Sequence, residues 1–381
     1  MNTTDWTPLA DRPNVDYYRK QAKALLADAN AGSEEALARV KRSHPHPGKL
    51  ALPLKLADAQ VALARENGFE SWPKFSGFIE EIRKGDTPLT AFERAADAIV
   101  DGDAAELRRL LDKNPALIKA RSQRAHHCML LHYVGSNGFE DYRQKAPKNS
   151  LEILDILLAA GAEVDAMADS YGKSTTLGLV ATSVHPVVAG VQIELMDRLL
   201  EAGADVNGGA GWSIVPACLH NGRGAAAKYL ADRGARLNLE SAAGVGRADL
   251  VQQHLDQGTL LSDKQAVLGF GWACQYGYPD VVLLMLDRGF DIGAPSVAGM
   301  TGLHWAAIGA QAEVTRLLLS RGAPLDAVNS YGGTLLGQLL WSAERDGTGL
   351  DYRPVVQAYL ESGRVSEDTS ALAPLRERLG I

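Results

Sequence analysis

Apolar residues recur along this chain in short helical stripes, each closed by a glycine, and the clearest stripe lies between Gly299 and Asn329. Leu303, Ala306 and Ala307 fall on one face of a first short helix, small where a neighbouring helix must pack close. Val314, Leu317 and Leu318 form the i, i+3, i+4 stripe of a second helix. Gly322 stands where that helix must stop in a left-handed conformation, and the Ala-Pro-Leu-Asp run from Ala323 to Asp326 reads as extended chain entering a turn. The pattern predicts two short antiparallel helices, which cannot stand alone.

From Thr87-Pro88 onward the same frame can be followed by its helix terminators, Asn114, Gly161, Gly203, Gly234, Gly258, Gly289, Gly322 and Gly363, which predict eight helix pairs. The intervals are 47, 42, 31, 24, 31, 33 and 41 residues, so three units are lengthened and one is short. The extra residues, 139–149, 184–190 and 344–351, fall between a first and a second helix. In the short unit His254 takes the place of a core leucine and reads as a partly buried structural histidine. Residues 14–84 carry helical periodicity outside this frame, in four helices opened by Asn14, by Ser33, around Leu56 and by Ser71-Trp72-Pro73. Phe69 and Trp72 are expected to pin the third and fourth of these together. A polar linker follows Gly363, and 371–379 reads as a short terminal helix.

Thr301-Gly302-Leu303-His304-Trp305-Ala306-Ala307, followed by Glu313-Val314, Leu317 to Leu319, Gly322-Ala323 and Asp326, closely resembles the ankyrin-repeat family. Only the proline of its T-P-L-H-x-A signature is missing, replaced by Gly302. The resemblance implies an all-α solenoid of about eight ankyrin repeats over residues 85–363, with 1–84 as an N-terminal helical cap and 364–381 as linker and terminal helix. It also implies that Thr301 and His304 hydrogen-bond the local turn. The run from Leu63 to Phe75 resembles N-terminal segments of bacterial ankyrin-repeat proteins and names no activity.

Composition narrows the partners. The net charge is -7, with 13 basic against 11 acidic residues up to Lys84 and 26 against 35 beyond it, so no basic stripe is available to neutralise nucleic-acid phosphates. Cys128, Cys218 and Cys274 are isolated and show no C-x-x-C spacing, which points to a reducing compartment, without disulfide framework or zinc ribbon. No apolar run reaches the length of a membrane span, and 1–13 lacks the pattern of a signal peptide, so a cytoplasmic protein is expected.

In ankyrin repeats the positions after the Ala-Ala of each first helix line a concave groove. Carried over by residue, these include Ser136 and Asn137, Ser183, His220 and Asn221, Gln275 and Tyr276, and Trp341. Their polar, uncharged character suits a partner with exposed main chain. Tyr142, Arg143 and Lys145 of the first insertion could grip a carboxylate or phosphate, and His185 sits in the second. Ser183, His185 and Asp141 invite a triad, but no nucleophile elbow or oxyanion loop accompanies them. His126-His127-Cys128 holds metal-type ligands that cannot all turn to one ion, and His44 and His46 lie in a Pro-spaced loop. The glycines at 244, 246, 332 and 333 have turn duties within the frame.

The expected function is non-catalytic recognition of a protein partner by a monomer, through the groove and the inserted loops, with no cofactor, no metal, no nucleic acid and no membrane. The alternative is an enzyme or small-ligand receptor with a pocket between the insertions near Tyr142 and His185, using Arg143, His132 and Ser183.

Overall fold

The computed structural model describes residues 6–10, 12–136, 138–208, 213–344 and 349–364, with residues 373 and 377. The described residues form helices and two isolated β-bridges, Arg121 to Met129 and Ala168 to Ser174, and no sheet. The chain divides into two compact units, Met1–Trp212 and Ser213–Ile381.

The first unit opens with α1 (Val15–Asn30), α2 (Glu34–Ser43), α3 (Leu56–Glu66) and α4 (Trp72–Arg83). Asn14, Ser33 and Ser71 cap three of them, each accepting a backbone N–H three residues on. Val15, Tyr18 and Ala22 of α1 pack with Leu63, Phe69, Phe75, Phe78 and Ile79, and Leu89 of the next helix joins the same core. Phe69, in the connection, shares a core with Leu63 and Ala64 of α3 and lies 4.7 Å from Phe78 of α4, as expected, whereas the edge-on contact of Trp72 with Phe75 at 5.9 Å lies within α4 itself. Then come α5 (Pro88–Asp101) with α6 (Ala104–Lys113), a second pair ending in α7 (Ser150–Ala159), and α8 (Thr176–Thr182), α9 (His185–Val188) and α10 (Gln192–Glu201). The first member of the second pair is a 3-10 helix, Leu130–Gly135, rather than an α-helix. α8 approaches it so closely that a Cβ on Gly135 would stand 2.7 Å from the Val180 backbone nitrogen.

The second unit contains five pairs: α11 (Val215–His220) with α12 (Gly224–Asp232), α13 (Leu239–Gly244) with α14 (Ala248–Asp256), α15 (Lys264–Tyr276) with α16 (Pro279–Asp287), α17 (Gly302–Ile308) with α18 (Ala312–Ser320), and α19 (Leu335–Glu344) with α20 (Arg353–Glu361). First helices pack on first helices from α11 to α19, and second helices on second helices from α14 to α20. One continuous apolar core, from Leu239 to Tyr359, runs between the two rows.

The predicted terminators have a common geometry. Gly161, Gly203, Gly234, Gly258, Gly289 and Gly322 all take φ between 84° and 95°, and the N–H of the residue after each bonds the carbonyl five residues back. That is the Schellman closure, open to glycine because it has no Cβ. Asn114 differs: its φ is -143°, and the chain runs directly into a 3-10 helix, Pro115–Lys119. The short unit keeps the frame, with Thr259 N–H on the His254 carbonyl and the half-buried His254 ring 3.3 Å from the Leu237 carbonyl. His304 accepts the Thr301 N–H at Nδ1 (3.2 Å) and donates from Nε2 to the Gly333 carbonyl (3.0 Å). His132 repeats this, with Met129 N–H at 3.1 Å and the Ala166 carbonyl at 2.9 Å. Each signature histidine therefore ties its helix start to the following connection. The expected terminal helix at 371–379, apart from residues 373 and 377, and residues 345–348 of the third insertion lie outside the described residues.

Leu318 has no exposed surface and belongs to the core between adjacent pairs. Leu318→Ala is expected to cost ~2–5 kcal/mol locally and to make the C-terminal pairs unfold ahead of the rest in chemical denaturation. An unchanged unfolding curve would contradict the packing described.

Candidate functional site

In the first unit the polar chemistry gathers where the second pair departs from the repeat pattern. α5 brings Glu93 and Asp97, the bridge-flanked loop brings Arg124 and His126, the 3-10 helix brings Tyr133, and the first insertion brings Glu140, Tyr142 and Arg143. Glu140 has no exposed surface. Its Oε1 accepts from the Tyr142 hydroxyl and Arg143 Nη1, both at 2.9 Å, with Arg124 Nη1 at 3.3 Å, and its Oε2 lies 3.1 Å from His126 Nε2. Glu93 takes Arg124 Nη1 on both oxygens at 2.8 Å, and Arg143 reaches Asp97 at 2.8 Å. The Arg124 guanidinium also lies over the Phe78 ring, 5.2 Å from its centroid.

The two buried arginines face two buried glutamates. Burial alone would push the Glu140 carboxyl up, but Arg124, His126 and Arg143 hold it well below the usual carboxylate range. His126 is depressed, chiefly by burial, and stays neutral: Nδ1 accepts the Cys128 N–H at 2.9 Å, so the ring proton sits on Nε2 and is donated to Glu140. Trp6 stacks on His126 at 5.2 Å and on Phe139 at 5.1 Å, and its N–H bonds the Phe139 carbonyl, so the first described residues clasp the cluster.

This corrects one expectation. Arg143, read from sequence as part of an exposed gripping loop, is 3% exposed and spent on Glu93, Asp97 and Glu140. The insertion folds back onto α5 because its cation satisfies two carboxylates there. Tyr142 turns its hydroxyl to Glu140, Lys145 pairs with Asp101 at the surface (2.8 Å), and Ser136 is buried with its hydroxyl on the Lys145 carbonyl. Asn137 lies outside the described residues. His127 pairs with Asp169 at 2.7 Å while Cys128 is buried, so the His-His-Cys run points three ways; among the described residues no group of three His, Cys, Asp or Glu could hold a metal. Ser183 caps α8 and its hydroxyl accepts the His185 backbone N–H, while Asp141 stands on the exposed side of the first insertion.

In the second unit the expected groove positions meet residues that the sequence reading passed over. His220 closes α11 with its side chain 42% exposed, and its Nε2 lies 2.9 Å from Oε1 of Glu240, a residue of α13 that is 8% exposed. The same oxygen accepts from Trp272 Nε1 of α15 at 3.0 Å. Trp272 meets His220 edge-on at 4.9 Å and Trp305 of α17 at 4.9 Å, and Trp305 in turn donates to the Ser296 hydroxyl. One aromatic row thus crosses α11, α15 and α17, with Gly244 of α13 making room: a Cβ there would stand 2.5 Å from Leu219 and 3.1 Å from Trp272. Gln275 and Tyr276 follow Trp272 at three and four residues and share its face. The Tyr276 hydroxyl donates to the Leu219 carbonyl at 2.7 Å, whereas Gln275 Oε1 is buried with no hydrogen-bond partner. Asn221 is exposed and bonds its own helix, and Trp341 is 51% exposed on α19. Trp272 and Trp305 stand 33 residues apart, the repeat length, and that spacing was the signal available for the row.

A family model of ankyrin repeats in many copies matches residues 272–319, which run from the end of α15 through α18. The palmitoyltransferase Hip14 of Drosophila melanogaster is 39% identical over 75 residues, 20% of this chain and 11% of that protein. Protein PhlB of Serratia liquefaciens is 35% identical over 100 residues, 25% of this chain and 44% of that protein. The chain spans less than half the length of each. With the stacked helix pairs and the His304 turn, these matches show ankyrin repeats over residues 272–319. No described helix is long and apolar enough to cross a membrane.

Two outcomes are expected of the buried cluster. Arg143→Ala leaves Glu140 and Glu93 short of a cation in a buried site and should destabilise the first unit by ~3–5 kcal/mol, read as a fall in its denaturation midpoint. A wild-type midpoint would mean that the insertion is not held there.

Acid should act earlier through the histidines. His132 is depressed to about 4, chiefly by burial, and His126 is depressed too, so the unfolded chain binds more protons once pH falls below the ordinary histidine value of roughly 6.5. Their contribution is complete above that pH and is lost as pH falls toward 4. Glu140 adds its own loss below the ordinary carboxyl range. Melting temperature should therefore drop between neutral pH and pH 4, with a flatter profile in His132→Gln; an identical slope in that variant would contradict the assignment.

Proposed function

We propose that the protein is a non-catalytic recognition protein, monomeric and cytoplasmic, that binds a protein segment along the first-helix face of its second unit. Ankyrin repeats generally mediate protein–protein interaction. The observation that carries the finer reading is the row of His220, Trp272 and Trp305 with Gln275, Tyr276 and Asn221 beside it, in which a buried Trp272 supports exposed His220 and Asn221 and half-buried Trp305, Gln275 and Tyr276 on rigid helices. The three free, buried cysteines suit a reducing compartment, and the acidic balance of the array disfavours nucleic acid. The alternative, a small-ligand pocket near Tyr142 and His185, is less supported, because the Arg143 guanidinium that would hold an anion there is neutralised by carboxylates.

The test is cross-linked capture from lysate of the native organism, with wild-type protein and the His220→Ala/Asn221→Ala double variant as baits. Both substituted side chains are exposed, so melting should barely change while a specific polypeptide is lost from the capture. Equal capture by both baits would sink the groove reading.

A further inference from the structure

Glu240 stands out among the groups of the second unit. It is a carboxylate set among aromatic rings, 8% exposed, with no lysine or arginine paired to it among the described residues. Both of its hydrogen bonds, from His220 and Trp272, fall on Oε1, which leaves Oε2 without a protein partner. Oε2 is open to solvent, so the donor it lacks within the fold can come from water or from a partner.

The neighbouring groups are short of donors in the same way. Gln275 Oε1 is buried and unpartnered three residues beyond Trp272 on the same helix. α15 ends at Tyr276, with Gly277 left-handed behind it, and the carbonyl end of a helix favours a cation. The rings of His220 and Trp305, the first exposed and the second half-buried, flank Trp272. Such an arrangement, with one fixed negative charge, an unmet acceptor and aromatic faces, matches a planar cation rich in N–H groups. A guanidinium has that form: it can engage a carboxylate with a fork of donors while stacking on an indole, whereas an ammonium engages only as a point charge. The array's excess of acidic residues favours a basic segment in the same sense.

We propose that the first-helix face around Glu240 receives an arginine side chain of an extended partner segment, its guanidinium held by the Glu240 carboxylate and lying along the row of His220, Trp272 and Trp305. The assignment rests on the recognition reading above and names the chemistry of the partner at that face. It makes Glu240 the determinant of specificity, with the rings supplying contact area that any flat side chain could use.

The test measures binding of a fluorescent, end-capped peptide, Gly-Ser-Ala-Arg-Ala-Ser-Gly, to the full chain by polarisation, beside versions in which glutamine or lysine replaces the arginine. Glu240→Gln keeps an acceptor for Trp272 Nε1 and removes only the charge, so it should fold as the wild type does, which its melting curve checks. The arginine peptide is expected to bind wild type, to weaken by about tenfold or more on Glu240→Gln, and to lose affinity with salt; the glutamine peptide should not bind. In the lysate capture, the arginine peptide should displace the specific polypeptide. If that polypeptide is captured through the groove but Glu240→Gln holds it equally and the arginine peptide does not compete, the arginine assignment fails while the recognition reading stands. Equal binding of the lysine peptide would overturn the preference for a guanidinium. Should no polypeptide depend on the groove residues, the recognition reading itself fails.

Discussion

A pair of short helices with one apolar face cannot bury that face alone, and within each unit neighbouring pairs cover one another. That constraint decides most of the sequence. It requires small residues where first helices touch, as with Gly269 against Ala243, where an added Cβ would come within 2.9 Å, and Gly309 against the Gln275 carbonyl, where it would come within 1.8 Å. It requires each second helix to stop on schedule, which the left-handed glycines from Gly161 to Gly322 accomplish. Thr301 and His304, with the parallel use of His132, then fix the connection between one pair and the next, so that stacking order is specified by local hydrogen bonds as well as by the core.

Where the first unit breaks this pattern, charge is added to packing. The second pair has a 3-10 first helix and a long insertion, and Arg124, Arg143, Glu93 and Glu140 are buried beside its Leu130, Leu131, Leu154 and Leu157. A buried ion set of this kind is weak support for stability in itself, yet it is highly directional, since each member left alone would be an uncompensated charge. It therefore specifies where the insertion lies: on α5 and under Trp6, which stacks on its Phe139. The N-terminal helices are drawn into the same arrangement, because the Ala125 N–H bonds the Gly68 carbonyl and Phe78 underlies Arg124.

The frame was legible in the sequence because it repeats: glycine spacing located the ends of seven helix pairs and Asn114 that of the first, and Asn14, Ser33 and Ser71 located three helix starts. The charge cluster was not, because its members lie far apart in sequence, Glu93 from α5, Arg124 from a loop and Glu140 from an insertion, and have no periodicity to betray them. Arg143 between Tyr142 and Gln144 reads as a solvated loop residue; only its pairing with Glu93, some fifty positions earlier, turns it inward. The aromatic row was half legible. Register singled out His220, Gln275 and Tyr276, whereas Trp272 and Trp305 sit one position before the small pairs Ala273-Cys274 and Ala306-Ala307, in the slot that signature reading treats as unspecified.

Glu140 and Glu240 are both nearly or fully buried glutamates, and the difference between them separates structure from recognition. Both oxygens of Glu140 are engaged, by a tyrosine, two arginines and a histidine, so it has no capacity left and its chemistry ends inside the fold. Glu240 takes two donors on one oxygen and none from the protein on the other, which is open to solvent. Water can therefore satisfy Oε2 as the fold stands, so the carboxylate costs the fold little and keeps one acceptor available at the surface. That spare capacity is what Glu140 lacks, and it is the feature on which the arginine proposal rests.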